Sequence, residues 1–146
     1  MIEPSQSLQQ IFENSMSMAK SLEHEYITIE HLLLGIMNDA DSFKLIAEFG
    51  ADANFIKTNL DHYIKNNLND IKNSECEKPR KTHAVERVLN RCFTQVLFSG
   101  RQRIEIADVI VSILNEKNSF AFYFLNKGGL TKEKFVILGM EKGSLI

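Results

Sequence analysis

The feature of this sequence that most constrains its fold is an internal repeat with a spacing of 77 residues. In the first half, apolar residues at helical spacing form one stripe that begins at Leu8 and a second that begins at Ile29. Both stripes recur 77 positions later, beginning at Val85 and Ile106. Identical residues occupy matching positions at Ile27, Ile29, Ile36, Asn38, Ser42 and Phe43, and at Ile104, Ile106, Ile113, Asn115, Ser119 and Phe120. The repeat predicts two copies of one structural unit, packed around a single core with pseudo-twofold symmetry.

The apolar periodicity predicts four helices in each copy. In the first copy we expect a helix over about residues 5–22 and a second that is capped by Thr28. A short helix from Phe43 to Phe49 and a longer one capped by Asp52 complete this copy. A strand over Asp108 to Leu114 is the alternative in the second copy, because β-branched residues are frequent there, but the matching segment of the first copy has helical spacing. Glycines follow apolar runs, where a left-handed residue ends many helices, at Gly50, Gly100 and Gly128.

The predicted fold class is all-α, with two tandem four-helix repeats in a single domain over residues 1–146. Repeat one spans about residues 5–68, and repeat two spans about residues 82–141. The segment between them, about residues 69–81, is polar and charged, and Ile71 is its main apolar residue. We therefore interpret this segment as a linker rather than as part of the core.

The charge and hydropathy of the chain exclude two classes of partner. Lys and Arg number 17 against 19 Asp and Glu, which gives a formal net charge of −2, whereas a nucleic-acid-binding domain usually carries a strongly basic face. No apolar run approaches the roughly 18 residues of a membrane span. The amino terminus also lacks the pattern of a secretory signal. We therefore expect a cytoplasmic protein that binds neither nucleic acid nor a membrane.

Residues with catalytic potential are few and scattered. No Gly-x-x-x-x-Gly-Lys-Ser/Thr phosphate loop occurs, so the chain itself is not expected to hydrolyse ATP. His24, His62 and Cys76 are residue types that bind zinc, and a small metal-dependent enzyme built on them is the alternative function. Cys92 lies on an apolar stripe, where a thiol packs as a small buried group. The leading interpretation has no catalytic residue, no metal and no cofactor, and it leaves the histidines at the surface.

Two segments are candidates for contact with a partner protein. The densest basic region is interleaved with glutamates, which indicates a solvated helix start, with an acidic partner surface as the alternative. The segment from Phe120 to Phe124 has four aromatic residues in five positions. It therefore serves either core packing between the repeats or a peptide-contacting groove. The residues of the basic region are Lys78, Arg80, Lys81, Arg87 and Arg91.

The segment from Tyr26 to Gly35 reads YITIEHLLLG and resembles the Thr-x-Glu-His-Leu-Leu signature of the Clp amino-terminal domain. Residues 87–91 and 99–101 are similar to the corresponding second-repeat segments in the ClpA branch of that family. The resemblance extends over the chain from about Leu8 to Gly139. It implies a tandem repeat of four helices that sits ahead of the AAA+ modules of a Clp unfoldase.

The resemblance also implies a set of partners. The chain would be the recognition domain of a ClpA-type unfoldase, which feeds unfolded or tagged proteins to the ClpP peptidase, and the modules of the ATPase hexamer would follow Ile146. In this branch the domain docks the small adaptor ClpS, which delivers substrates with bulky amino-terminal residues. The adaptor-contacting residues of the family match Glu25, Thr82 and Arg87. Together, a carboxylate, a hydroxyl and a guanidinium make a polar patch that can orient a partner.

One departure separates this sequence from the ClpC branch of the family. In that branch both repeats carry a Thr-x-Glu-His-like motif, and its glutamates bind phosphoarginine. Repeat one has Glu30 here, whereas repeat two reads IEIAD over residues 104–108, with Ala107 at the matching position. A ClpC-like phosphoarginine reader is therefore an alternative function, and adaptor docking of the ClpA type is the expected one.

Overall fold

The structure, a computed structural model, describes residues 1–136. Within these residues lie seven complete α-helices, four two-residue strands and one 3-10 turn, and residues 132–136 begin a further helix. In chain order the elements are β1 (Glu3–Pro4), α1 (Gln6–Ser21), β2 (Tyr26–Ile27), α2 (Ile29–Asn38), α3 (Ala40–Glu48), α4 (Ala53–Asn66), the 3-10 turn (Asn69–Ile71), β3 (Arg80–Lys81), α5 (His83–Phe98), β4 (Arg103–Ile104), α6 (Ile106–Ile113) and α7 (Phe120–Lys127). The predicted all-α class is confirmed.

Side-chain caps decide where the long helices of repeat one begin. Ser5, Thr28 and Asp52 each accept a hydrogen bond from the backbone N–H three positions later, at the starts of α1, α2 and α4. Two of these caps, Thr28 and Asp52, were predicted and are confirmed. The alternative of a strand over Asp108 to Leu114 is wrong, since α6 covers most of that segment.

The short helix α3 begins three residues earlier than predicted. The first helical residue is Ala40 rather than Phe43, because the carboxylate of Asp39 accepts from the backbone N–H of Ser42 at 3.1 Å. The hydroxyl of Ser42 donates to the same carboxylate oxygen at 2.7 Å. An aspartate cap therefore starts this helix within one residue of the end of α2.

One of the three predicted glycine caps, Gly128, ends its helix but is not left-handed. Gly50 and Gly100 have positive φ, at 86° and 72°, and end their helices as expected. Gly128 has a φ of −79° instead, because its N–H still donates to the carbonyl of Phe124 at 2.9 Å and continues the helical geometry. The left-handed residue is the next one, Gly129, with a φ of 96°.

Two short parallel ladders exchange strands between the repeats. β1 pairs with β4, so that Glu3 lies opposite Arg103, and β2 pairs with β3, so that Tyr26 lies opposite Arg80. Each residue of one ladder lies 77 positions from a residue of the other, so the two ladders are copies related by the pseudo-twofold axis. Strands of two residues show no period in the sequence, which is why they were not predicted.

A single hydrophobic cluster extends through both repeats. Within repeat one α1 packs on α2, and within repeat two α5 packs on α6. The matching residues Leu33 and Ile110 are both fully buried. Helix α7 packs against α2 and α4, so elements of repeat two close the core of repeat one.

The linker lies outside this core, whereas the carboxyl-terminal part contributes Leu130 and Phe135 to it. The predicted linker is mainly exposed and contains only the 3-10 turn and β3. Phe135 is buried against Phe49, with 4.9 Å between ring centroids. The predicted end of repeat two near residue 141 and the end of the resemblance at Gly139 lie outside the described residues. Within residues 1–136, no helix has the length and apolar character to cross a membrane.

Candidate functional site

The β2–β3 ladder positions two of the three residues that the family resemblance singles out. The N–H of Arg80 donates to the carbonyl of Glu25 at 2.9 Å, and the N–H of Thr82 donates to the carbonyl of Ile27 at 3.2 Å. Glu25 therefore lies at one end of the ladder and Thr82 at the other, about 10 Å apart along the strands. In the sequence, 57 positions separate them. The pairing of β2 with β3 is what brings these two segments side by side.

The carboxylate of Glu25 is part of a small charged cluster. Its Oε1 lies 3.6 Å from Nη2 of Arg80. The Arg80 guanidinium lies over the ring of Tyr26, 5.4 Å from the centroid, and donates to the Tyr26 hydroxyl at 3.3 Å. A partner that approaches Glu25 therefore meets a positive and a negative group side by side. Sequence reasoning counted Arg80 only as one member of the basic region.

Arg87, the third residue, is exposed on α5 and pairs with a carboxylate beside the start of α7. Its Nη2 lies 2.8 Å from Oε1 of Glu116, whose Oε2 lies 2.7 Å from Nη2 of Arg91. The side chain of Glu116 is only 10% exposed. The hydrogen bond from Arg87 is the largest cause that lowers the pKa of Glu116, and Arg91 adds to it. Sequence reasoning missed Glu116, because 29 positions separate it from Arg87.

A groove of about 480 Å³ joins Thr82 to Arg87. It runs between the first turns of α2 and α5 on one side and the connection from α6 to α7 on the other. The structure therefore places Thr82 and Arg87 on the same groove, whereas Glu25 lies outside its lining, at the far end of the ladder. The lining residues with chemical interest are Thr28, Glu30, Thr82, Arg87, Lys117 and Phe120.

Glu30 lines this groove, is 7% exposed, and stabilises the fold through its carboxylate. Its Oε2 accepts from the backbone N–H of Ala121 at 2.9 Å, which caps the first turn of α7. Burial raises the pKa of Glu30, and the backbone hydrogen bond from Ala121 opposes that rise. The matching residue of repeat two, Ala107, is buried and carries no carboxylate. Of the two glutamates of a ClpC-like phosphoarginine site, only that of repeat one is therefore present.

The aromatic segment of α7 is divided between the core and the surface. Phe124 is buried in the core, whereas Phe120 and Tyr123 are each about half exposed, at 51% and 53%. The ring of Tyr63 on α4 stacks on Phe120 with 4.6 Å between centroids. One face of this helix therefore packs between the repeats, and the other presents aromatic rings beside the groove.

The residues of the alternative metal site do not come together. His62 is exposed on α4 and Cys76 lies in the linker, while His24 is buried with 1% of its surface exposed. No group of three or more possible metal ligands occurs within residues 1–136. His24 was wrongly placed at the surface, because its ring bonds to a second buried ring, that of His31, 2.8 Å away. Cys92 is buried as predicted, and burial raises the pKa of its thiol to about 12.

The fold and the groove define a helical-repeat domain whose candidate site is a surface for a binding partner. The sequence matches the family described as the Clp repeat (R) N-terminal domain over residues 3–128. The chain belongs to this family, as the Thr-x-Glu-His-Leu-Leu segment indicated.

A curated relative shows how much of a longer protein this chain represents. It is the ClpA homolog protein of Fuscovulum blasticum, which is 31% identical over 142 residues. These residues cover 94% of this chain and 18% of that protein. The chain therefore spans less than a fifth of the length of this relative.

Solved structures of other Clp-type amino-terminal domains share the fold. The Hsp104 N-terminal domain from Candida albicans has a TM-score of 0.82 at 9% identity, covering 99% of this chain and 93% of that one. The N-terminal domain of the ClpV1 ATPase from E. coli has a TM-score of 0.72 at 16% identity, covering 94% and 84%. That of ClpD from Arabidopsis thaliana has a TM-score of 0.67 at 15% identity, covering 97% of both chains. At these identities the likeness establishes the fold.

Proposed function

We propose that this chain is the adaptor- and substrate-recognition domain of a ClpA-type ATP-dependent unfoldase in the cytoplasm. In the parent protein an ATPase hexamer would pass the recognised proteins to the ClpP peptidase. Membership of the Clp amino-terminal domain family and the similarity to a ClpA homolog support this role. The docking partner is a ClpS-like adaptor, and the docking surface consists of Glu25, Thr82 and Arg87.

The observation that carries the proposal is the common groove of Thr82 and Arg87. The guanidinium of Arg87 uses Nε and Nη2 toward Glu116, while its side chain remains 58% exposed to a partner. Because Arg91 also neutralises Glu116, Arg87 can turn to a partner without leaving that carboxylate unpaired. An arginine that is oriented but exposed is well suited to bind a carboxylate or a backbone carbonyl of an adaptor.

The half-exposed rings beside the groove supply a second kind of contact. Phe120 and Tyr123 offer apolar area that an unfolded substrate with bulky side chains can cover. Tyr63 holds the ring of Phe120 in place by stacking, so binding needs little reordering of this side chain. Direct substrate binding is therefore assigned to the outer face of α7, and adaptor docking to the groove and the ladder.

The test is a titration of a ClpS-type adaptor against the wild-type domain and Arg87→Ala. We expect roughly tenfold weaker binding or more for the variant, because an arginine that becomes desolvated at an interface is often a hot spot. The control variant is Gln10→Ala, which removes the side chain at the matching position of repeat one and should bind as the wild type does. Thermal melts of both variants show whether the fold is retained.

The same titration of Glu25→Ala tests the other end of the surface. Its matched control is Gln102→Ala, at the equivalent position beside the β1–β4 ladder. Unchanged affinity in both Arg87→Ala and Glu25→Ala would contradict this docking surface. The outer face of α7 would then be the next surface to test, with Tyr123→Ala.

A further inference from the structure

A hydrogen-bonded pair of buried histidine rings holds the loop between α1 and α2 against the start of α2. Nδ1 of His24 lies 2.8 Å from Nε2 of His31, and the two residues are 1% and 0% exposed. His31 is also the third residue of α2, where its Nδ1 accepts from the backbone N–H of Thr28 at 2.9 Å and completes a capping box. One ring thus caps a helix and holds the preceding loop.

The hydrogen bonds of this pair fix where its protons sit. Because the N–H of Thr28 donates to Nδ1 of His31, the proton of the neutral His31 ring is on Nε2 and is donated to Nδ1 of His24. A proton added to Nδ1 of His24 would face the proton on His31 across 2.8 Å. If His31 moved its own proton to Nδ1, it would lose the bond from the Thr28 N–H and keep only the contact of Nδ1 with the Thr28 hydroxyl, at 2.8 Å. Either way, one extra proton removes a hydrogen bond from the pair.

Repeat two has a different pair at the matching positions. There Arg101 donates two hydrogen bonds to Asp108, at 2.8 and 3.0 Å, and Asp108 accepts from the N–H of Glu105 at 2.8 Å. Arg101 and Asp108 lie 77 positions after His24 and His31. This pair contains no histidine, and because the arginine only donates and the carboxylate only accepts, no two donors face each other. The connection between the first two helices therefore depends on a histidine pair in repeat one and on an arginine–aspartate pair in repeat two.

The loop that the histidine pair holds is also the loop that binds the linker and starts β2. The N–H of Glu25 donates to the carbonyl of Ile71, and the N–H of Asn73 donates to the carbonyl of Glu23. His24 itself forms an antiparallel bridge with Lys72. The β2–β3 ladder begins at the next residues of this loop. Release of His24 would therefore loosen both the linker and this ladder.

The charges around the pair do not compensate for an added proton. Burial, and then the charge of Lys72, lowers the pKa of His24. Burial, and then the neighbouring His24, lowers the pKa of His31 to about 3. Of the nearby carboxylates, Glu25 lies against Arg80 and Glu30 accepts from Ala121. Among the described residues, neither histidine ring is bonded to a carboxylate.

We propose that the His24–His31 pair is a proton-sensitive latch, whose protonation opens the β2–β3 ladder and the linker segment beside it while the β1–β4 ladder stays closed. The closed latch binds fewer protons than the open one. Opening is therefore favoured as the pH falls below about 6.5, the ordinary pKa of histidine, and is opposed above it. If the docking surface proposed above is correct, the latch regulates it, because Glu25 and Thr82 flank the ladder that opens.

The test compares the two ladders within one sample by amide hydrogen exchange at pH 7.5 and pH 5.0, with correction for the intrinsic exchange rates. The reporting amides are those of Arg80 and Thr82 in one ladder and of Glu3 and Ser5 in the other, which make matching hydrogen bonds. We expect roughly a tenfold or greater loss of protection at Arg80 and Thr82 at pH 5.0, because this pH lies well below the ordinary histidine pKa of about 6.5 and a released histidine takes up a proton there. Glu3 and Ser5 should change little. Equal changes in both ladders, or none in either, would overturn the proposal.

Two variants exchange the chemistry of the latch between the repeats. His24→Arg with His31→Asp installs the pair of repeat two in repeat one, and it should abolish the loss of protection at pH 5.0. Arg101→His with Asp108→His does the reverse, and it should make Ser5 lose protection in acid. If the first double variant does not fold, the second and the wild-type comparison still decide the matter. No adaptor is present in this experiment, so its outcome is independent of the proposed docking.

Discussion

Repeat one and repeat two use different groups to satisfy the same backbone carbonyl. In repeat one the carbonyl of Ile11 accepts from the hydroxyl of Ser15, which lies on the same helix, at 2.8 Å. In repeat two the matching carbonyl of Val88 accepts from the hydroxyl of Ser112, which lies on the facing helix α6, at 2.9 Å. The position that matches Ser112 in repeat one is Gly35. The same carbonyl is therefore bonded in both repeats, but the hydroxyl that donates to it lies on the first helix of repeat one and on the second helix of repeat two.

This difference changes what holds each helix pair together. Contact between α1 and α2 depends on the absence of a side chain at Gly35, where a Cβ would meet Oγ of Ser15. Contact between α5 and α6 depends on hydrogen bonds, because Ser112 bonds to Val88 and also accepts from Arg91 at 2.9 Å. The histidine pair of repeat one and the Arg101–Asp108 pair of repeat two are a second example, in which different side chains fix the connection between the same two helices. The repeats share a backbone arrangement, but different side chains make the polar contacts in each repeat.

The largest expected effect tests what the repeats share. Leu33→Ala and Ile110→Ala truncate matching, fully buried side chains, so each should lower the free energy of unfolding by about 2–5 kcal/mol. Chemical denaturation of the two variants measures this. Similar losses would support one core built from equivalent positions. If either variant unfolds at the wild-type midpoint, the two-repeat core is wrong at that position.

The shared arrangement could be predicted from the sequence because its signals are local. The spacing of apolar residues predicts where helices lie, and capping residues such as Thr28 and Asp52 predict where they begin. Both signals depend only on residues within about one helical turn. Asp39 lies four positions before Phe43, the first residue of the predicted helix, so the apolar pattern alone does not indicate this cap. At the end of α7, two consecutive glycines can both adopt a left-handed conformation, so the sequence does not distinguish Gly128 from Gly129.

The polar contacts of the site could not be predicted in the same way, because they join distant segments. Nothing local to Arg87 indicates Glu116, and nothing local to Glu25 indicates Arg80. The histidine pair did leave a signal, since His31 is the third residue after the cap Thr28 and lies seven positions from His24. Applying the 77-residue offset to polar residues as well as apolar ones would have related this pair to Arg101 and Asp108.

The second expected effect tests what the repeats do not share. Gly35→Ala should cost about 1–3 kcal/mol of unfolding free energy, since the added methyl group overpacks the contact with Ser15. The matched change in repeat two, Ser112→Ala, removes a hydrogen bond and should cost about 1 kcal/mol. The cost of Gly35→Ala should be smaller in a Ser15→Ala background, because the nearest atom is then missing. Equal costs in both backgrounds, measured by denaturation, would contradict overpacking against Ser15.

The smallest expected effect concerns the exposed surfaces of α1 and α5. Position 10 carries a glutamine, which donates to Asn14 at 3.0 Å, whereas the matching Arg87 belongs to the charged cluster around Glu116. Arg87→Ala should leave the melting temperature at pH 7 unchanged, as Gln10→Ala should, because Arg91 remains bonded to Glu116.

Removing both arginines should show how much the charged cluster around Glu116 contributes to stability. In the Arg87→Ala/Arg91→Ala variant the nearly buried carboxylate of Glu116 loses the two groups that lower its pKa. A carboxylate with a lowered pKa stabilises the fold above its ordinary pKa, and this contribution is lost as the pH falls. The double variant should therefore melt lower than Arg91→Ala alone at pH 7, and the difference should shrink at pH 3, well below the ordinary pKa of a carboxyl group, because the charge of Glu116 is lost as the pH falls. A difference of the same size at both pH values would mean that Arg87 acts through packing rather than through the charge of Glu116.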